Sequence, residues 1–227
     1  SATASVAPRP PIGVLLINVG TPDSPDASAV RRYLRQFLSD PRVIDLAAPL
    51  RWMLLNLVIL PRRPAQSAEA YRKVWGPKGS PLLVNSQDFA GDLADELGAD
   101  YLVTLGMRYG NPSLESAYKR LVEAGVEHIV LFPLYPQRAA SSTGTSLEAI
   151  YQLASKEWRP PALHVVESFY NDEGFLNAAA AQARPVLDEE TPDHVLFSFH
   201  GLPERHIHKS DPAGNFCLEA SDCCAAI

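Results

Sequence analysis

No apolar run in this sequence reaches the ~18 residues needed to cross a bilayer, so no membrane-spanning helix is expected. A basic excess is missing as well: 20 Lys and Arg stand against 26 Asp and Glu, a net charge of -6. A nucleic-acid binder would show a basic stripe, and without one no nucleic-acid partner is expected. The phosphate-binding signatures are lacking too. There is no Walker lysine and no G-x-G-x-x-G, which counts against a nucleotide ligand. Cysteine is scarce. Cys217, Cys223 and Cys224 are the only three, and all fall in the last eleven residues. An odd, clustered set argues against a disulfide framework and towards a metal site.

A secretion signal is also not visible. Residues 1–11 are small, polar and proline-rich, without a basic segment followed by an apolar one. They read as a disordered leader, and the expected compartment is the cytoplasm. What the sequence does have is core-forming material. Of its 227 residues 46% are hydrophobic and only 20% charged, enough for one large domain or two small ones and too apolar for general disorder.

Strand-like and helix-like stretches alternate. Residues 12–19 (IGVLLINV) form a short β-branched run ending at Gly20-Thr21-Pro22, as a strand buried on both faces would. Residues 26–38 carry Val30, Tyr33, Leu34, Phe37 and Leu38 at helical spacing before Pro41. The same pattern predicts helices over 80–97, 112–124, 143–155 and 173–187. It predicts strands over 101–106, 127–134, 162–166 and 194–199. Such alternation implies βαβ units and parallel sheets with helices on both faces. The order of elements suits two sheets in tandem, with a break near 157–170. Ligands bind such sheets beyond the carboxyl ends of the strands. The loops to watch are therefore 20–23, 107–112, 135–146 and 200–205.

Those loops hold the candidate site residues. His200 ends the strand expected over 194–199, in a turn fixed by Gly201 and Pro203. A neutral imidazole there can accept a proton near pH 7 or bind a divalent metal; His206 and His208 follow closely. Arg108 ends another strand. Arg62 and Arg63 close an apolar stretch, residues 50–60 (LRWMLLNLVIL). Guanidinium forks suit carboxylates. An apolar lip beside an anion clamp suits a flat, greasy ligand with acidic arms, and such a lip could rest on a membrane surface without crossing it. The Ser/Thr run 141–146 reads as a helix cap.

Taken together, LLINVGTPDSP (15–25), YRKVWGPKGSPL (71–82), GMRYGNPS (106–113), LFPLYPQRAASSTGTS (131–146) and SFHGLPERHIHKSDPAGN (198–215) resemble the ferrochelatases. The resemblance runs from about Ile12 to the end of the sequence. It implies two Rossmann-like halves of chelatase type facing across a porphyrin cleft: 12–160, and 161–227 as an incomplete second half. It implies insertion of ferrous iron into protoporphyrin IX to form protohaem, the last step of haem biosynthesis, so porphyrin and Fe²⁺ are the expected partners. His200 matches the family's active-site histidine, which handles pyrrole protons or the incoming metal. Val19, Tyr71, Ser80, Arg108, Tyr109 and Tyr135 match pocket-lining positions. Arg62 and Arg63 match a basic pair beside the propionates, and residues 50–60 match the helix at the pocket mouth. The family's catalytic glutamate and final helix would lie past Ile227, so a C-terminally shortened, inactive chain is expected. Some ferrochelatases carry a [2Fe–2S] cluster. Thiolates suit such a centre, and Cys217, Cys223 and Cys224 are its expected ligands, with a fourth beyond them. The related readings are a chelatase for coproporphyrin iron or sirohydrochlorin cobalt, and a non-catalytic tetrapyrrole-binding fragment.

Overall fold

The structure, a computed structural model, describes residues 10–211, 214, 216–219 and 223. The expected leader, except for its last two residues, and Cys224 lie outside the described residues. The chain forms two compact units, Ser1–Ser168 and Phe169–Ile227.

The first unit is built on a parallel sheet. Its strands are β1 (Ile12–Thr21), β2 (Tyr101–Gly110), β3 (His128–Pro133) and β4 (Ala162–Val165), in the order β2-β1-β3-β4. β1 is central and buried on both faces, and Leu15, Leu16 and Ile17 are fully shielded. That explains its unbroken apolar run, since neither face needs polar side chains. One face packs on α5 (Leu114–Glu123) and α6 (Thr145–Ala154). There Leu15, Ile17, Ile129 and Leu131 meet Leu114, Tyr118, Leu121, Leu147 and Ile150 in one cluster. Burying such side chains contributes ~1.5–3 kcal/mol each. The alternate residues of β1 point the other way, and Asn18 donates to Ser86 Oγ of α4 (Pro81–Leu97) at 3.1 Å.

α1 (Ala27–Leu38) leads into a helical arm over residues 48–74. The arm runs through α2 (Ala48–Met53), a π-helical turn (Leu54–Ile59) and α3 (Leu60–Val74). The prolines explain the irregular middle. Pro61 and Pro64 have no N–H to give to the carbonyls of Leu57 and Leu60 four residues back. In the wider turn the Leu60 N–H reaches Leu55 O, while Arg31 Nη1 takes the orphaned Leu60 carbonyl at 3.1 Å. Leu55 and Leu60 are buried, whereas Leu50, Trp52, Met53, Leu57 and Val58 face outward as an apolar lip.

β4 pairs with β3 along His128–Leu131. Residues 161–168, expected in the second half, therefore belong to the first unit, whose boundary falls after Ser168. The second unit holds α7 (Glu173–Glu190) and α8 (Glu204–Ser210), and among its described residues there is no strand. The strand expected over 194–199 is instead an exposed, irregular segment, with Leu196 at 91% exposure. A β-branched apolar run becomes a strand only by pairing.

Two glycines let the ends of β1 and β2 close on each other. Gly20 has φ +102°, and a Cβ there would lie 1.7 Å from Tyr109 O. Gly110 has φ +83°, and its Cβ would lie 2.6 Å from Thr21 O. Both obstacles are backbone and cannot swing aside. Gly20→Ala should therefore destabilise the protein by about 3 kcal/mol or more, read as a lowered urea midpoint. Gly125→Ala is the control. It also has positive φ, but open space around the added methyl, and should cost only ~1 kcal/mol.

Candidate functional site

The carboxyl edge of the sheet gathers four of the expected site residues. Asn18 pairs in register with Met107 and Gly20 with Tyr109, so Val19 sits beside Arg108. Tyr135 follows β3, whose exit is fixed by the Leu134 N–H donating to Ile17 O at 2.8 Å. Three neighbouring strands thus deliver Val19, Arg108, Tyr109 and Tyr135 to one edge.

At this edge the carboxylate of Asp40 collects four donors. Its Oδ2 accepts from Arg108 Nη2 at 2.8 Å, Tyr109 Oη at 2.9 Å and the Thr145 hydroxyl. Its Oδ1 accepts the Arg42 N–H at 2.7 Å. Thr145 in turn accepts from Arg108 Nε at 2.9 Å through Oγ1 and at 3.1 Å through its carbonyl. The guanidinium also lies 4.6 Å from the centre of the Tyr109 ring. The Asp40 side chain is 5% exposed and that of Arg108 23%. Burial alone would push the Asp40 carboxyl up. The hydrogen bonds from Thr145, Arg42 and Tyr109 and the Arg108 charge overcome it and hold the group below its ordinary value.

Aromatic side chains surround this carboxylate. Tyr109 is 1% exposed, its ring edge-on to Phe37 at 5.1 Å, and Phe37 stacks on Tyr33. With its ring covered and its hydroxyl bound, Tyr109 supports the edge from beneath. Tyr33 donates to Gly20 O at 3.2 Å. Burial raises its pKa, and Tyr71, Tyr109 and Tyr135 lie close enough to raise it further. Burial likewise raises Tyr71 and Tyr109 and brings Tyr135, 3.4 Å from Ser146 Oγ, to about 12. These phenols are neutral hydrogen-bonding groups at pH 7, not bases.

Tyr71 lies half-buried on α3 with its ring edge-on to Trp75 at 6.2 Å, and Ser80 is buried just ahead of α4. Arg62 and Arg63 sit exposed in the first turn of α3, and neither has an ion-pair partner among the described residues. They stand next along the arm to the exposed apolar residues of the lip. A partly open cavity of about 120 Å³ lies between Tyr135, Arg138, Tyr151 and Val165–Ser168, too small for a drug-sized molecule, which takes ~300–1,000 Å³. A wider, more open depression of about 590 Å³ lies over Arg42, Arg138, Leu147, Glu148 and Tyr151.

The second unit carries the other candidates. His200 is exposed in the irregular segment before α8. His206 is buried within α8 and His208 is exposed. Cys217 is buried, and its N–H and that of Phe216 donate to Asp211 Oδ2 at 2.8 and 2.6 Å. Neither Cys217 nor Cys223 is in a disulfide. Among the described residues no three His, Cys, Asp or Glu side chains could together hold a metal ion. Cys217 and Cys223 thus supply at most two of the four ligands a [2Fe–2S] cluster needs, and the described residues do not by themselves fit one. Among the described residues no helix is long and apolar enough to cross a membrane.

Asp40, Thr145 and Tyr33 were not legible as site residues. Asp40 ends a helical pattern just before Pro41 and reads as an ordinary helix stop. Its partners lie 68, 69 and 105 residues away.

The first unit thus sets an arginine and phenols at the carboxyl edge of a parallel α/β sheet, with an apolar stretch of the helical arm leading to two exposed arginines. The sequence profile of the family described as Ferrochelatase matches residues 11–227, and the chain belongs to that family. It is 46% identical over 213 residues to a ferrochelatase of Coxiella burnetii, covering 93% of this chain and 59% of the relative. It is 47% identical over 214 residues to that of Azotobacter vinelandii, covering 93% and 62%. It is 43% identical over 220 residues to "Ferrochelatase 2" of Shewanella oneidensis, covering 95% and 67%. The chain spans about three fifths of the length of the Coxiella and Azotobacter relatives.

The Asp40 site makes stability depend on pH in a definite direction. Its folded pKa is depressed, so its stabilisation is complete above the unfolded value of about 4 and is lost as pH falls through the folded one. Asp40→Asn should lower stability at pH 7 and flatten its decline below about pH 4. Urea titrations at several pH values measure both; parallel curves for mutant and wild type would refute the assignment.

Proposed function

We propose that this chain belongs to an enzyme that inserts ferrous iron into protoporphyrin IX to form protohaem, the last step of haem biosynthesis. Membership of the ferrochelatase family carries the reading. The chemistry of the first unit supports it. A macrocycle needs a broad apolar surface, which the outward residues of the arm supply. Its propionates need cations, and Arg62 and Arg63 stand exposed at the end of that surface. Val19, Tyr71, Ser80, Arg108 and Tyr135 would line the cleft, with Tyr109 behind them.

Iron is the substrate here, not a resident cofactor. As Fe²⁺ enters, two pyrrole N–H protons must leave. A planar ring keeps its nitrogen lone pairs in the plane, and binding along a shaped edge can bend it and expose them, with remote contacts offsetting the strain. The buried phenols stay protonated at pH 7. The proton acceptor of this reading is His200, since a neutral imidazole can take a proton from a reacting group. The lip would rest on a membrane surface from the cytoplasmic side.

Two experiments on the full-length protein test this. His200→Ala should retain porphyrin binding, followed by fluorescence quenching, and lose insertion of Fe²⁺ or Zn²⁺ by a factor of roughly 10² or more. Near-normal turnover would remove His200 from the chemistry. Replacing both Arg62 and Arg63 with Ala should weaken binding of a dicarboxylate porphyrin by roughly tenfold or more and leave its dimethyl ester little changed. Equal losses would show that the pair is not a propionate clamp.

A soft-metal site at Cys217, Cys223 and Cys224 is a separate part of the proposal. Anaerobically purified full-length protein should absorb in the visible and lose that absorbance on Cys217→Ser. A colourless protein without iron or sulfide would leave ordinary thiols.

A further inference from the structure

Arg108 has five N–H groups, and the protein uses the edge formed by two of its nitrogens. Nε donates to Thr145, and Nη2 donates to Asp40. Among the described residues Nη1 makes no hydrogen bond, and it is not a buried atom left without a partner. The guanidinium is therefore clamped along its Nε–Nη2 edge while its Nη1–Nη2 edge stays open to solvent. A guanidinium edge carries two parallel N–H groups, the geometry that grips a carboxylate in two places.

The clamp is over-determined. Asp40 is held by the Arg42 N–H, Tyr109 and Thr145 independently of Arg108. Thr145 is held by both of the others. An exposed arginine would have to give up its rotamer freedom on meeting a ligand; this one has given it up already. We infer that Asp40 is a positioning residue, with Thr145 as its partner. Together they hold Arg108 so that its open edge receives a carboxylate arm of the bound tetrapyrrole. The identity of the ligand rests on the function proposed above, whereas the clamp itself does not.

Two measurements on the full-length protein separate these layers. In the ligand-free protein, the ¹⁵Nε–H signal of Arg108 should be resolved, with a high order parameter. Asp40→Asn, nearly isosteric, and Thr145→Val should each average it towards the values of exposed arginines. An equally ordered Arg108 in both variants would overturn the positioning role, whether or not porphyrin binds. The second measurement is porphyrin affinity by fluorescence quenching. Asp40→Asn should weaken a dicarboxylate porphyrin roughly three- to tenfold, the cost of ordering one long side chain on binding, and leave the dimethyl ester within about twofold. Adding Asp40→Asn to Arg108→Ala should cause no further loss for the dicarboxylate, since the two act as a unit. A merely structural Asp40 would weaken both ligands alike and add to Arg108→Ala; that outcome overturns the inference. Wild-type protein that binds neither porphyrin would sink the proposed function and the carboxylate assignment, and leave the clamp to the NMR result.

Discussion

One carboxylate ties the first unit together at its working edge. Asp40 leaves the end of α1, and its oxygens are reached from β2, from the start of α6 and from the turn that follows α1. Arg42 is two residues away, but Arg108, Tyr109 and Thr145 lie 68, 69 and 105 residues along the chain. A carboxylate in a nearly dry site needs its lone pairs filled, and each donor here comes from a segment that must lie in one place for the bond to form. The burial that would by itself penalise the charge is thus what fixes the geometry. Removing any one donor leaves the others with an unsatisfied partner, so the group behaves as a unit.

The frame around this contact was largely legible in the sequence, because it is local physics. The unbroken IGVLLINV run marks a strand buried on both faces, and β1 is the centre of the sheet. The Pro-to-Gly punctuation of residues 112–125 brackets α5. The network was illegible because it is non-local. Nothing near Asp40 distinguishes it from any acidic helix end, and nothing near Thr145 distinguishes it from a capping residue. Residues 194–199 show the opposite failure. Their composition is that of a buried strand, but composition cannot supply a neighbour to pair with. Residues 50–60 were expected as a helix by resemblance alone, and the π-helical turn there could have been anticipated from Pro61 and Pro64, which between them remove two donors.

The arm and the sheet edge solve different problems. The edge is polar, with hydroxyls and a carboxylate bound to one another. The arm presents Trp52, Leu57 and their neighbours to solvent, a costly arrangement for a monomeric surface unless something apolar covers it. Arg31, reaching across to the Leu60 carbonyl, pins the arm to α1 at the point where its own hydrogen bonding fails.

The meeting of Gly20 with Tyr109 and of Gly110 with Thr21 bears on how freely the site can be altered. The strand ends are set there by main chain against main chain, with no side chain as spacer. Val19 comes just before those contacts on β1, and its side chain takes no part in them. The scaffold is in that sense modular. The side chain at position 19 can be enlarged or trimmed while the rails beside it keep their spacing.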